Sequence, residues 1–246
     1  MRKALIRNEL ARRAARRLPA PVRGILRSLL LGQPRPRWGN FRRLAPFSER
    51  YGRDRGTPVD RVYIDGFLAR RAADIRGDVL EVRDSGYTER FGGAAVSGRH
   101  VLDLDAANPA ATVVADISEP GSLPVGRFDC FILTQTFQYV RDPDAALANA
   151  WNALAPGGVL LLTVPTIARV DWPAGYEDLW RWTPAGLRRF LARALPEAEV
   201  EVEGHGNLLA ATAFLMGLAA EELAARELEM FDPLYVVVTS ARVARA

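Results

Sequence analysis

Short apolar runs recur through the second two-thirds of the chain, each followed by a turn-forming or helical stretch. Short apolar strands that alternate with helices or turns are typical of a parallel sheet covered on both faces. The pattern therefore predicts a Rossmann-like α/β fold, with a parallel-dominated sheet of about seven strands and helices on both faces. The predicted strands are DVLEVR (78–83), HVLDLDA (100–106), ATVVADI (111–117), FDCFILTQT (128–136), GGVLLLTVP (157–165), EAEVEVEG (197–204) and PLYVVVTSARV (233–243).

Helix starts are marked by prolines that follow a capping residue. Asp142-Pro143 and Thr183-Pro184 both have this form, and Pro58 stands before a third amphipathic stretch. A capping side chain followed by proline at the first helical position is a common beginning of a helix. The segment after Gly86 is too short and too rich in glycine to predict a helix. The predicted helices cover residues 58–75, 142–154 and 183–195.

Positive charge is concentrated near the N-terminus. Residues 1–43 contain 13 Lys or Arg and one acid, Glu9, whereas the rest of the chain contains 20 basic and 28 acidic residues. The first segment thus carries a formal charge of +12 and the remainder −8. With 49% hydrophobic and 25% charged residues, the chain has the composition of a folded protein. The sequence predicts a basic helical N-terminal arm and linker over 1–54 and one domain over 55–246.

The arm contains an amphipathic segment, VRGILRSLL (22–30), whose apolar residues recur at helical spacing. Two interpretations are open: a helix docked on its own domain, or a helix that contacts an anionic membrane surface or a protein partner. The arm lacks the interleaved aromatic and basic residues of single-strand binders, which argues against a nucleic-acid partner.

Composition also bears on metal sites and location. Cys130 is the single cysteine and lies in an apolar run, which favours a buried thiol in a reducing compartment. His100 and His205 show no metal-ligand spacing, so no metal site is predicted. The longest apolar run, 208–220, is shorter than the roughly 20 residues that span a bilayer. The N-terminal segment shows neither the apolar core nor the cleavage site of a secretory signal. We therefore expect a cytoplasmic protein, with peripheral contact at the inner face of the membrane as the alternative.

The most specific stretches are FDCFILTQTFQYVRDPDAAL (128–147) and LAPGGVLLLTVP (154–165), followed by WRWTPAGLRRFL (180–191). Together with acids in or after the first three strands, they resemble the class I S-adenosylmethionine-dependent methyltransferases of the small-molecule type, over roughly residues 55–240. The resemblance implies S-adenosylmethionine as cofactor and methyl transfer to a small-molecule acceptor.

The resemblance also implies which residues bind the cofactor, because ligands of open parallel sheets lie beyond the carboxyl ends of strands where the strand order reverses. A carboxylate after the second strand can accept both ribose hydroxyls. Asp103 and Asp105 share one face of that strand, and Asp105 is preferred because it comes later. Asp116 is expected to meet the adenine amino group, and capping is the alternative role of Asp105 and Asp116. The predicted cofactor-binding residues are Tyr63, Glu81, Arg83, Asp84, Ser85, Gly86, Asp105, Asp116, Ile117, Thr134 and Gln135.

The turn after the first strand departs from the family pattern. The resemblance implies Gly-x-Gly-x-Gly there, and Arg83, Ser85 and Tyr87 occupy the three positions. Glycine permits a positive φ and close approach of the backbone to a ligand. We expect Asp84 or Gly86 to take the left-handed conformation instead, and Arg83 to pair with the cofactor carboxylate or a neighbouring acid. The sequence favours a working cofactor site over one that has been lost.

Two further motifs, RGTPVDRVYIDGFL (55–68) and YTERFGG (87–93), resemble stretches in bacterial methyltransferases often encoded with, or fused to, glycosyltransferases. The resemblance implies that Asp60, Arg61 and Tyr63 approach the amino-acid end of the cofactor. A packed helix with a surface salt bridge is the alternative. The acceptor implied is a hydroxyl of a sugar or secondary metabolite.

A hydroxyl acceptor needs a base to remove its proton. The predicted catalytic residues are His205 and Tyr139, with a turn position as the alternative for His205. Trp172, Trp180 and Trp182 form an aromatic stretch that either stacks on the substrate or packs beneath a loop.

Two other classes of protein compete with a methyltransferase. A nicotinamide-dependent oxidoreductase would carry G-x-G-x-x-G after the first strand, and this chain does not. A catalytically silent Rossmann-like binding or scaffold protein fits the missing glycines and the basic arm, and it would have no affinity for the cofactor.

Overall fold

A computed structural model of the protein describes Pro19, Val22, residues 39–171 and residues 177–245. Ala45–Ala246 form one compact unit and Met1–Leu44 another. In the N-terminal unit, Gly39–Phe41 form one turn of 3-10 helix. The amphipathic segment predicted over 22–30 lies outside the described residues apart from Val22, and so does Trp172. The domain boundary predicted after residue 54 stays a prediction.

The described part of the larger unit contains a seven-stranded sheet with the order β3-β2-β1-β4-β5-β7-β6. Strands β1 to β5 pair in parallel, while β7 lies antiparallel between β5 and β6. The predicted Rossmann-like fold is therefore confirmed. The strands are β1 (Gly77–Val82), β2 (Val96–Asp103), β3 (Val113–Val114), β4 (Phe128–Thr134), β5 (Leu154–Pro165), β6 (Glu199–His205) and β7 (Val238–Ala244).

Six α-helices of the described residues flank the sheet, and their caps explain where several of them begin. Asp142 accepts a hydrogen bond from the Ala145 N–H, and Thr183 accepts one from the Gly186 N–H, as the sequence predicts. Asn207 accepts one from the N–H of Ala210 in the same way. The helices are α1 (Val59–Arg70), α2 (Gly86–Phe91), α3 (Pro143–Ala153), α4 (Pro184–Ala194), α5 (Leu208–Met216) and α6 (Ala225–Glu229).

Helix α2 was not predicted, and a tertiary contact explains it. The buried Glu81 carboxylate in β1 accepts hydrogen bonds from the N–H groups of Tyr87 and Thr88 and from the Thr88 hydroxyl. These N–H groups lie in the first turn of the helix, where they have no partner inside it. A negative charge at this end also suits the helix dipole.

Apolar residues cover both faces of the sheet. One cluster packs Phe128 and Phe131 with helices α3 and α4, and the other packs Ile132 with α1 and α5. Cys130 is fully buried, as expected, and burial raises the pKa of its thiol. No helix within the described ranges has the length and apolar character needed to cross a membrane.

Candidate functional site

A cavity of about 680 Å³ opens beside the carboxyl ends of β1, β2 and β4. Val82, Asp103 and Leu133, near the ends of these three strands, all line it. The chain runs from β1 to β2 on one side and returns to β4 on the other, so the strand order reverses here. Ligands of open α/β sheets bind at this point, and the volume lies in the range of about 300–1,000 Å³ that small-molecule sites occupy.

The turn after β1 places a non-glycine residue in the left-handed region. Arg83 has a φ of 74°, whereas Asp84 and Gly86 do not have positive φ angles. The expectation that Asp84 or Gly86 would take this conformation is therefore wrong. The Arg83 N–H donates to the carbonyl oxygen of Leu102 at 2.9 Å, which fixes the backbone at this residue. Arg83 lines the cavity, and none of the ion pairs between described residues involves its guanidinium.

The other predicted residues of this turn support it without lining the cavity. Asp84 accepts a hydrogen bond from the Gly86 N–H at 2.9 Å, and Ser85 donates to Glu89 at 2.9 Å. Glu81 is only 3% exposed and holds the start of α2. Burial raises the pKa of Glu81, although its hydrogen bonds to Thr88 and Tyr87 act in the opposite direction.

At the end of β2 the structure brings Asp103 to the cavity rather than Asp105. Strand β2 ends at Asp103, so the alternation that would place both carboxylates on one face does not continue. Asp103 accepts from the Asp105 N–H at 3.0 Å and from the Asn108 amide at 2.6 Å. Burial opposes ionisation, but these hydrogen bonds outweigh it and lower the pKa of Asp103. Asp105 is exposed and accepts from the Ala107 N–H at 2.8 Å in the turn between β2 and β3, where no helix follows for it to cap.

The segments after β3 and β4 contribute predicted residues. Asp116 and Ile117 line the cavity, and Asp116 accepts from the Ser118 N–H at 2.8 Å. After β4, Gln135 lines the cavity with a φ of 46°, whereas Thr134 does not line it. The amide nitrogen of Gln135 and the amide oxygen of the neighbouring Gln138 are buried and have no hydrogen-bond partner within the described structure.

A group of charged and aromatic residues forms another part of the wall. Tyr139 donates to a carboxylate oxygen of Asp171 at 3.0 Å, and Arg169 lies over the ring of Tyr51 at 4.0 Å from the ring centroid. Burial and then the Asp171 charge raise the pKa of Tyr139. Burial likewise raises the pKa of Tyr51 to about 12. The Asp171 N–H donates to Asp178 at 2.8 Å. Sequence analysis did not identify Tyr51, Arg169, Asp171 and Asp178, because these loop residues follow no recognisable spacing.

The first turn of α1 also reaches the cavity, through Asp60 and Arg61. Asp60 is 8% exposed, and one of its carboxylate oxygens is buried without a hydrogen-bond partner in the described structure. Arg61 lies 3.9 Å from the other oxygen and donates to the Tyr87 hydroxyl at 3.0 Å.

Two predicted residues, Tyr63 and His205, contact each other away from the cavity lining. Their rings stack with centroids 6.1 Å apart, and a ring nitrogen of His205 lies 2.7 Å from the Ser240 hydroxyl. Burial lowers the pKa of His205 to about 4 and raises the pKa of Tyr63 to about 12. His205 ends strand β6 rather than lying in a turn. Neither Tyr63 nor His205 faces the site, because this contact and its burial orient both rings into the protein.

Of the predicted tryptophans, the two that the structure describes, Trp180 and Trp182, also lie outside the cavity lining. Trp182 packs against Phe137 and Phe190, which corresponds to the packing alternative. Trp180 donates its indole N–H to the Val140 carbonyl at 2.9 Å. Within the described ranges, no three His, Cys, Asp or Glu side chains are grouped to hold a metal ion.

The family model for the methyltransferase domain matches residues 88–162, which run from α2 through β5. This segment is similar to the methyltransferase domain that the family model describes. Together with the fold, the match indicates an S-adenosylmethionine-dependent methyltransferase, and S-adenosylmethionine is its cofactor. No curated relative matches the chain.

Solved structures show the same fold at low sequence identity. An S-adenosylmethionine-dependent methyltransferase from Mesorhizobium loti is 16% identical, with a TM-score of 0.50, over 76% of this chain and 98% of that one. A methyltransferase from Thermotoga maritima, described as a possible histamine N-methyltransferase, is 16% identical, with a TM-score of 0.51, over 76% and 92%. The [4+2]-cyclase SpnF is 17% identical, with a TM-score of 0.52, over 82% and 87%. The fold therefore does not by itself identify the acceptor.

The residues of this methyltransferase fit the cofactor chemically. Carboxylates of Asp103 and Asp116 line the cavity after adjacent strands, where they can accept hydrogen bonds from hydroxyl and amino groups. Gln135 adds a buried amide nitrogen that lacks a partner among the described residues. The turn after β1 lacks the family glycines, but it contains a residue in the left-handed conformation, Arg83.

Proposed function

We propose that the chain transfers a methyl group from S-adenosylmethionine to a hydroxyl of a small polar acceptor, such as a sugar or a hydroxylated secondary metabolite. One observation supports a polar acceptor. Of the buried side-chain atoms without a partner among the described residues, Gln138 Oε1 and Arg169 Nε belong to residues that line this cavity and are not assigned to the cofactor. Each such atom costs about 1–3 kcal/mol when unpaired, so a ligand rich in hydrogen-bonding groups suits the cavity better than an apolar one.

The cofactor end is assigned to the side of the cavity at β2 and β3. Asp103 is proposed to bind the ribose hydroxyls, and Asp116 to bind the adenine amino group with Ile117 against the ring. Gln135 is proposed to supply a further donor. Arg83 is proposed to approach the cofactor carboxylate, since its guanidinium has no ion-pair partner among the described residues.

Asp171 and Tyr139 are proposed to remove the proton from the acceptor hydroxyl. S-adenosylmethionine supplies an electrophilic methyl group, so the protein has to align the acceptor and remove its proton. Tyr139 donates to Asp171 at 3.0 Å and both line the cavity. The raised pKa of Tyr139 keeps its phenol protonated near neutral pH, so Asp171 is the group of this pair that can accept a proton. His205 receives no role in this proposal, because it does not line the cavity.

The resemblance to methyltransferases associated with glycosyltransferases supports sugars as the first acceptors to test. The basic arm is proposed to provide a peripheral membrane or protein contact for a cytoplasmic protein. Residues 1–38 of the arm, apart from Pro19 and Val22, lie outside the described structure, and the charge pattern of the sequence supports this proposal.

A second candidate function is a catalytically silent binding or scaffold protein. The observation that favours it is Arg83, a bulky residue with a φ of 74° at a turn that the family builds with glycine. Such a protein would lack affinity for the cofactor.

Calorimetric titration with S-adenosylmethionine and S-adenosylhomocysteine separates the two. Asp103→Asn is the site variant, and Asp105→Asn is its matched control two residues away. Micromolar binding that Asp103→Asn weakens and Asp105→Asn preserves supports the enzyme. Absence of binding by the folded wild-type protein would favour the scaffold. Release of S-adenosylhomocysteine is then measured across sugars, hydroxylated aglycones and amines; turnover confined to amines would overturn the proposed acceptor.

A further inference from the structure

Most of the large apolar side chains that are exposed in the described part of the larger unit lie on three segments. The first segment follows β5, the second follows β6 and the third precedes β7. Contiguous exposed apolar surface marks a place where a protein meets another protein, a ligand or a membrane. We call six of these side chains the apolar rim: Leu179, Trp180, Leu208, Leu209, Phe231 and Leu234.

The register of the sheet places the three segments at one edge. Strand β7 lies between β5 and β6 and is antiparallel to both, and Val238 pairs with Pro165 on one side and with His205 on the other. Pro165 and His205 end their strands, whereas Val238 begins β7. The Asp232 N–H donates to the carbonyl oxygen of Gly206 at 2.9 Å, which joins the third segment to the second. The apolar rim is therefore drawn together from distant parts of the chain.

The cavity opens at the same edge of the sheet. It lies beside the carboxyl ends of β1, β2 and β4, and these strands run parallel to β5, whose carboxyl end continues into the first segment. The Leu179 N–H donates to the carbonyl oxygen of Gln138 at 2.9 Å, and Gln138 lines the cavity. Whatever covers the apolar rim thus lies close to the cavity as well.

The charge of the chain indicates what covers this edge. The Phe47 N–H, near the start of the larger unit, donates to the carbonyl oxygen of Met216 at 2.7 Å, and Tyr51 and Phe214 both line the cavity. The basic segment 1–43, with its formal charge of +12, is therefore joined to the larger unit on the cavity side. Apolar side chains next to a concentration of Lys and Arg match the surface of an anionic bilayer. A second copy of the chain matches less well, because it would bring two strongly basic segments together.

We propose that the apolar rim binds the surface of an anionic lipid bilayer, with the cavity facing the headgroups. Phe231 and Leu234 are 52% and 80% exposed and are the side chains assigned to insertion. Asp232, between them, accepts a hydrogen bond from the Leu234 N–H at 2.9 Å, so its carboxylate is directed to the backbone. Trp180 suits the level of the headgroups, where indole rings are enriched. This contact goes beyond methyl transfer and differs from binding by the basic arm alone, because it involves the folded edge of the sheet.

The test measures sedimentation of the full chain with vesicles. One set of vesicles consists of phosphatidylcholine, and the other of phosphatidylcholine mixed with phosphatidylglycerol. The variants are Phe231→Ser and Leu234→Ser. Val125→Ser is the matched control, because Val125 is 78% exposed but precedes β4, at the opposite edge of the sheet. Unfolding temperatures are measured for all four proteins to detect any folding defect.

A second measurement locates the contact. Leu234→Cys and, as its control, Val125→Cys are labelled with an environment-sensitive fluorophore. The native Cys130 is buried and does not compete for the label. Emission at residue 234 should shift to the blue when anionic vesicles are added, whereas emission at residue 125 should not change.

We expect the wild-type chain to bind the anionic vesicles at least about tenfold more tightly than the neutral ones, with a difference that decreases as salt is added. Phe231→Ser and Leu234→Ser should each weaken binding by about fivefold or more, because less apolar area is buried. Val125→Ser should stay within about twofold of wild type.

Other results overturn the inference. Absence of binding to anionic vesicles, or equal binding to neutral ones, would do so. Binding that both serine variants retain, without a spectral change at residue 234, would assign the contact to the basic arm alone. A wild-type dimer that Leu234→Ser dissociates, as measured by light scattering, would assign the apolar rim to a second copy. Titration with S-adenosylhomocysteine tests the proposed methyltransferase separately, so either proposal can fail while the other stands.

Discussion

The side-chain amide of Asn108 donates to the carbonyl oxygen of Arg83 at 2.8 Å and to the carboxylate of Asp103 at 2.6 Å. One side chain therefore holds the strained turn after β1 and the acid after β2 in a fixed relation. Arg83 and Asp103 both line the cavity. In a turn without the family glycines, this bridge fixes the backbone that a cofactor has to approach.

Replacement of the bridging amide tests this relation. Asn108→Ala removes both hydrogen bonds, so Asp103 and the turn lose their common support. We expect S-adenosylhomocysteine to bind about 5- to 30-fold more weakly, equivalent to about 1–2 kcal/mol, as measured by calorimetry. Asn152→Ala, on the exposed side of α3, is the control. Equal affinities of Asn108→Ala and wild type would show that the bridge does not organise the site.

The left-handed conformation of Arg83 predicts a gain in stability when glycine replaces it. A non-glycine residue in this region costs about 1–2 kcal/mol, and glycine adopts it without steric cost. Because glycine also has more freedom in the unfolded chain, we expect Arg83→Gly to raise the free energy of unfolding by about 1 kcal/mol in a denaturant titration. Asp84→Gly, at a neighbour without positive φ, should lower it. Destabilisation by Arg83→Gly would show that the left-handed conformation of Arg83 is not strained.

Glu81 is expected to contribute to stability through helix α2. Glu81→Gln keeps the shape but turns an amide N–H₂ toward N–H donors, leaving one of them unpaired at a site that is 3% exposed. A loss of about 2–3 kcal/mol in the free energy of unfolding is expected. Glu89→Gln, on the exposed side of α2, serves as control. A loss below about 0.5 kcal/mol would mean that α2 forms without this carboxylate.

His205 makes stability depend on pH. Its folded-state pKa of about 4 lies below the value of 6.5 for an unperturbed imidazole, because burial disfavours the charged form. As the pH falls, the imidazole therefore binds a proton in the unfolded state before it does so in the folded state. The neutral imidazole contributes its full stability above about pH 6.5, and the contribution falls as the pH drops toward 4, by about 3 kcal/mol in total. The imidazole resonances should titrate near pH 4 by NMR, and titration near 6.5 would refute the buried environment.

The Asp171–Tyr139 pair is expected to act on turnover rather than on cofactor binding. With an acceptor from the screen, Asp171→Asn should lower kcat by about 10²- to 10⁴-fold, the usual contribution of a general base. Tyr139→Phe should have a smaller effect, because the carboxylate remains. Calorimetry should show unchanged affinity for S-adenosylhomocysteine. Tyr235→Phe, away from the cavity lining, is the control. Full activity of Asp171→Asn would remove Asp171 from the mechanism.

The sequence by itself determined the α/β fold, the seven strands and the helices predicted at 58–75, 142–154 and 183–195, although the first of these ends at Arg70. These follow from local signals: apolar runs of strand length, prolines after capping residues and amphipathic spacing. The resemblance to methyltransferases, combined with the predicted strand ends, also pointed to Arg83, Asp116, Ile117, Gln135 and Tyr139, which all line the cavity.

Only the tertiary structure decided what happens beyond the strand ends. Strand β2 stops at Asp103, so Asp103 faces the cavity and Asp105 caps a turn. Helix α2 forms because Glu81, from a neighbouring strand, bonds its first N–H groups. His205 is separated from the site by its contacts with Tyr63 and Ser240. His205 contacts residues far away in the sequence, whereas Glu81 and Asp105 bond groups two to seven residues away. In all three cases the outcome depends on where the backbone turns after a strand, and the apolar pattern of the strand does not determine that turn.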